Sequence, residues 1–146
     1  MTECIDPALL PDNYDDLIGK NRSLHKELLV YKKTSDSNFW SFCKNLGKAL
    51  DLEICSMGFS SCYGEKTKPF FSPGKWVRNI SESSFVISES FHATLFAIYF
   101  QKPFLVVTPR NRGTIRLNNM LEKFGLSDRI VFDEEITPDF DFEHCL

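Results

Sequence analysis

Residues 85–116 read FVISESFHATLFAIYFQKPFLVVTPRNRGTIR, and their pattern decides the fold. Phe85 to Ile87 and Phe104 to Val107 are continuous apolar runs, as strands covered on both faces require. Between them, Ser88-Glu89-Ser90 supplies small polar side chains immediately before an apolar run that starts at Phe91, the arrangement that caps a helix. The first turn of that helix carries His92 and Thr94, and after the second strand come Arg112 in a loop and Arg116 in the helix that follows it. A strand–helix–strand unit of this kind sets its polar turn at the carboxyl end of a parallel strand. Ligands of open α/β sheets bind there, and anions meet helix N-termini there. A site is therefore expected at this turn.

Working outward, strands and helices alternate. Glu27 to Tyr31 reads as a strand, and Ser35 to Leu50 as an amphipathic helix in which Phe39, Cys43, Leu46 and Leu50 share one face. Ser35 or Asp36 caps it. Leu52 to Met57 is a second strand, and Gly58 to Phe71 a long loop. Ser72 caps a short helix through Ile80, with Pro73 at its first position. Thr114 to Phe124 is a helix with Leu117, Met120, Leu121 and Phe124 as its buried stripe, ended by Gly125. Ile130 to Phe132 is a last short strand, and Asp12 to Ile18 a weak helical or turn segment. The tail from Asp133 is acidic and reads as loosely docked. Such alternation predicts an α/β fold with right-handed βαβ units and one parallel sheet with helices on both faces.

Composition bounds the function. A chain of 146 residues with 42% hydrophobic and 25% charged residues is a single globular domain with a real core, and its 14 Phe make that core heavily aromatic. A formal net charge of −3 gives no reason to expect nucleic acid as a partner, so any anion is held by local arginines and helix ends. Five cysteines, at 4, 43, 55, 62 and 145, form no CxxC pair and no metal-ligand spacing. They read as reduced thiols of a cytoplasmic protein, and no metal or cofactor is expected. The longest apolar run in the central helix, Leu95 to Phe100, is too short for a transmembrane segment, which leaves peripheral association with a membrane-bound machinery open.

The run SFVISESFHATLFAIYFQKPFLVV, followed by NRG and NNMLEKFGLSDRIV, resembles the C-terminal half of the polysaccharide pyruvyl transferases. Ile5 to Leu10 is similar to the segment that opens that half, and Pro73 to Ile80 to the tryptophan helix before the key strand. Glu89 stands where aspartate is usual, and Ala93 where glycine is usual and crowds a close backbone approach. The resemblance implies a Rossmann-like parallel sheet similar to the C-terminal domain of a GT-B fold. It also implies half of a two-domain enzyme, with residues 1–25 as a connecting segment, residues 133–146 as a tail, and a missing N-terminal domain as partner. The implied chemistry transfers pyruvate from phosphoenolpyruvate to a pair of hydroxyls on a saccharide acceptor, as a ketal, in cell-surface or exopolysaccharide synthesis. His92 maps to the catalytic histidine. Ser90, Thr94, Arg112, Arg116 and Glu89 map to the donor and phosphate side, and this half alone is expected to be inactive.

Each residue also has a plain reading. A histidine in a helix's first turn is commonly just an exposed polar residue, Ser88 and Ser90 serve as caps, and Arg116 lies on a solvated helix face. His25 and His144 read as surface residues, and Trp40 and Trp76 as core. Two rival functions share the pattern. One is a GT-B glycosyltransferase domain that binds a sugar nucleotide, for which Glu122 is the acidic candidate. The other is a non-catalytic interaction module with a vestigial cleft, which the Glu89 and Ala93 departures favour.

Overall fold

In the structure, a computed structural model, residues 24–32, 37–57, 66–68, 72–110 and 114–136 are described. In chain order the elements are β1 (Glu27–Tyr31), α1 (Ser37–Leu50), β2 (Glu53–Met57), β3 (Lys66–Lys68), α2 (Pro73–Glu82), β4 (Phe85–Ser88), α3 (Phe91–Tyr99), β5 (Phe104–Thr108), α4 (Thr114–Lys123) and β6 (Ile130–Phe132). Short 3-10 turns at Ser127–Arg129 and Asp133–Glu135 flank β6. The strands form one six-stranded sheet in the order β3-β2-β1-β4-β5-β6, and every pairing is parallel. This is the doubly wound order, with the chain leaving β1 toward one edge and β4 toward the other.

Side-chain alternation divides the core into two layers, since successive strand residues point to opposite faces. Leu28, Val30, Phe85, Ile87, Leu105, Val107 and Val131 pack with Phe39, Trp40, Phe42 and Leu46 of α1. Leu29, Val86, Phe104 and Val106 pack with Val77 and Ile80 of α2, Leu95 and Phe96 of α3, and Leu117, Met120 and Leu121 of α4. Helices thus cover both faces, as the apolar strands require. The helix α3 is buried over five consecutive residues, Ala93 to Ala97, because it is apolar on every side. It closes at Gln101, whose φ of 56° lets Lys102 N donate to Ala97 O at 2.8 Å.

The structure corrects several expectations. The segment expected as an unbroken loop contains β3, which pairs with Cys55 to Met57 at the sheet edge. Three residues are too few to show an alternation in sequence. The helix begun by Ser72 and Pro73 runs on to Glu82 before Ser83 Oγ donates to Ile80 O at 2.8 Å. Phe124 was expected in the buried stripe of α4 but is 44% exposed, because the helix ends at Lys123 and Phe124 belongs to the turn that Gly125 closes with φ 69°. The tail is not loose at its start: Ile136 is buried in the α1-side layer. Asp12 to Ile18, the caps Ser35 and Asp36, Cys4, Cys62, Cys145, His144 and the tail from 137 lie outside the described residues.

Candidate functional site at the carboxyl edge of the sheet

The strands β1 and β4 are neighbours although 57 residues separate Tyr31 from Ser88, the residues paired at their carboxyl ends. The edge beyond those ends is the switch point of the sheet, the place where open α/β folds bind ligands. On the same side of the sheet α2, α3 and α4 each follow a parallel strand, so their N-termini point to this edge and bring partial positive charge to it.

Ser88 fixes the turn. It is 1% exposed; its Oγ donates to Tyr31 O at 2.8 Å and accepts from Ser90 N at 2.9 Å, tying β1, β4 and the turn together. Ser90 is the N-cap of α3, with extended backbone and an Oγ that accepts from Ala93 N at 3.3 Å. Thr94 is buried, and its Oγ1 donates back to Ser90 O at 2.8 Å. His92 is exposed at the mouth of the turn. The Arg116 guanidinium stacks 3.8 Å from the centre of the Phe91 ring, and Phe91 meets the His92 ring edge-on at 5.5 Å. Ser90, His92 and Arg116 are therefore gathered at the first turn of α3. Thr94 is turned into the protein, and Arg112 lies outside the described residues. Ala93 is fully buried among core residues, so its methyl group fills the interior rather than the mouth of the turn.

Glu89 points the other way. Its Oε2 accepts from Lys32 Nζ at 3.2 Å, and Asp133 takes the same ammonium at 3.2 Å through Oδ1 and 3.3 Å through Oδ2. The Lys32 side chain is 1% exposed and lies 5.4 Å over the Phe39 ring. Burial pushes the Asp133 carboxyl above its ordinary value; the Lys32 ammonium opposes this, and the Glu89 and Glu134 carboxylates add to it. Desolvation and like charges outweigh one good ion pair here. The sequence reading missed Lys32 and Asp133. The signal was there in phase: Lys32 continues the period of Leu28 and Val30, so it points inward, where a lysine needs a partner.

Nearby, Arg110 lies 4.1 Å over the Phe132 ring and donates to Glu135 Oε1 at 3.1 Å. Tyr31, Trp76 and Phe96 meet edge to face at 5.6 and 5.7 Å on the α3 side, and the buried Trp76 Nε1 has no acceptor among the described residues. Trp40 is buried as expected, whereas Trp76 is only partly so and His25 is half-exposed beside Glu27 and Glu82 at the opposite edge. Glu122, the acidic candidate of the glycosyltransferase reading, is exposed in the last turn of α4, at the edge away from His92. Among the described residues no cluster of His, Cys, Asp or Glu is arranged to hold a metal ion, and no helix is long and apolar enough to cross a membrane.

A family model described as polysaccharide pyruvyl transferase matches residues 2–111, which run from before β1 through β5 and the His92 turn. No curated protein and no solved structure matches the chain.

Proposed function

We propose, for a chain that belongs to the polysaccharide pyruvyl transferase family, that the edge of the sheet at the first turn of α3 is the donor side of a site that moves pyruvate from phosphoenolpyruvate onto a saccharide. The observation that carries this reading is the exposed His92 beside the capped N-terminus of α3, at the switch point of a doubly wound sheet. In the proposed reaction a proton adds to the methylene carbon of phosphoenolpyruvate, and a sugar hydroxyl attacks C2. Inorganic phosphate leaves, and a second hydroxyl of the same sugar closes the ketal. The sum joins one phosphoenolpyruvate to one sugar diol and yields the ketal and inorganic phosphate; of the two hydroxyl protons, one ends on the new methyl group and one on the phosphate.

Three tasks follow for the chain. His92 delivers the proton or contacts the phosphate, and its exposure lets it reach a ligand without a change of fold. The N-terminus of α3, with Ser90 at its cap, faces the phosphate, and Arg116 adds a cation at the same turn. Arg112 joins that set on sequence grounds. Thr94, already bonded to Ser90 O, serves by shaping the turn. The saccharide enters from a second, N-terminal domain facing this edge, with which this half forms the whole enzyme. Ketal formation in cell-surface polymer synthesis at the cytoplasmic face is the context this reading fits.

The test compares His92→Ala and His92→Gln in the enzyme that contains this chain. Phosphoenolpyruvate binding is read by calorimetry and ketal formation by mass spectrometry. Proton delivery predicts that both variants bind donor and neither turns over; phosphate contact predicts that Gln retains binding that Ala loses. Near-wild-type turnover in both would end the assignment of His92.

A further inference from the structure

We propose that Lys32 is a positioning residue, whose buried ammonium is shared by Glu89 and Asp133 and so couples the Asp133–Glu135 turn to the turn that presents Ser90 and His92. The inference uses the proposed site only for its location and does not depend on the identity of the donor.

Phase is the first support. Lys32, Glu89 and Asp133 each stand two residues past a residue of the α1-side layer, Val30, Ile87 and Val131, at the carboxyl end of its own strand. Alternation therefore sends all three side chains to one face, behind the sheet as seen from His92. Glu89 faces the α1 side while its neighbour Ser90 caps α3 on the other, so one peptide unit joins the charge cluster to the site.

Reach is the second. The strands β1 and β6 stand three positions apart in the sheet, roughly 14 Å at the usual strand spacing. The Lys32 and Asp133 side chains reach toward each other over that gap, across the ends of β4 and β5, and meet at 3.2 Å. Arg110, at the end of β5, meets the Asp133–Glu135 turn through its backbone N–H to Glu134 and its guanidinium to Glu135. The turn lies beyond the residues that the family model matches.

Charge is the third. A buried ammonium must be compensated, and here two carboxylates share one. Loss of either carboxylate redistributes the other, so movement or protonation of Asp133 is felt by Glu89 and passed to Ser90 N, which Ser88 Oγ holds at 2.9 Å. The raised proton affinity of Asp133, with Glu134 adjoining it, makes Asp133 the member that lets go first.

The test uses the whole chain, labelled for NMR, with Asp133→Asn, Lys32→Arg and Lys32→Met. The His92 ring signal is identified by its loss in His92→Ala. In the wild type, the Ser90 amide and the His92 ring signal should shift with the Asp133 carboxyl as it titrates. In Asp133→Asn that component should vanish from both, and Lys32→Arg, which keeps the cation, should retain it. Lys32→Met should abolish it; if that variant does not fold, Asp133→Asn and Lys32→Arg decide. Ser90 and His92 signals that titrate alike in wild type and folded Asp133→Asn would overturn the coupling, as a purely local ion pair would give. Added phosphoenolpyruvate tests the other reading: no change in any amide of residues 88–94 would end the donor assignment and leave the coupling standing.

Discussion

Replacing Ser88 by alanine removes one oxygen and two hydrogen bonds, and the structure says what each held. The Oγ donates to Tyr31 O and accepts from Ser90 N, in a residue 1% exposed, so no water is at hand to replace it. Each bond contributes about 0.5–1.5 kcal/mol net, and a polar group left unmatched in the interior costs about 1–3 kcal/mol. The alanine methyl fills most of the space, so a cavity adds little. The expected loss is about 2–3 kcal/mol, which for a chain of this size lowers the melting temperature by roughly 4–12 °C. Urea denaturation should show a lower midpoint with an unchanged slope, since the folded and unfolded surfaces hardly change. Ser84→Ala is the control: its Oγ donates to His25 O at 2.6 Å at the opposite edge, a single bond expected to contribute about 1 kcal/mol. Of the two, only Ser88→Ala should also weaken phosphoenolpyruvate binding, because only Ser88 anchors the Ser90 cap. A midpoint within about 0.5 kcal/mol of wild type would refute the claim that Ser88 pins the turn.

Thr94→Val should cost about 1 kcal/mol by deleting the bond to Ser90 O and weaken donor affinity only through the loosened turn; unchanged stability with lost affinity, measured by melting and calorimetry, would return Thr94 to the ligand. Asp133 holds its proton more tightly folded than unfolded, so its contribution to stability is complete below the ordinary carboxyl value of 3.8 and is lost as pH rises through the raised value. Asp133→Asn should flatten that part of the stability–pH curve, and an identical curve would contradict the assignment. Gly47→Ala should destabilise despite a helix-propensity gain of about 1 kcal/mol, because its Cβ would lie 3.1 Å from Leu52 O and 3.3 Å from Ile54 Cγ1; a higher melting temperature would show that β2 yields.

Local chemistry in the sequence determined much of this protein. Apolar runs marked β1, β2, β4, β5 and β6, the spacing of Phe39, Cys43 and Leu46 marked α1, and Ser72 and Ser90 stand where caps were expected. The run around His92 marked a buried strand, a capped turn and an apolar helix, and His92 is exposed in the first turn of that helix. These features depend on neighbours a few residues away, so short stretches carry them whole.

The tertiary structure decided what depends on strand neighbours. Placing β1 beside β4 brings Lys32 to Glu89 across 57 residues, and the strand order β1-β4-β5-β6 brings Asp133 within reach of Lys32 across 101. Phase marks Lys32 as inward-facing, but nothing local marks its partners, which only the neighbouring strands supply. Packing of α3 against the sheet brought the Thr94 hydroxyl onto the Ser90 carbonyl, and Phe124 lost its place in the stripe when α4 ended one residue earlier. β3 exists only because β2 offers an edge for three residues to pair with. Periodicity selects which face of a strand is buried; which charges meet at the end of the strand is selected by the sheet order alone.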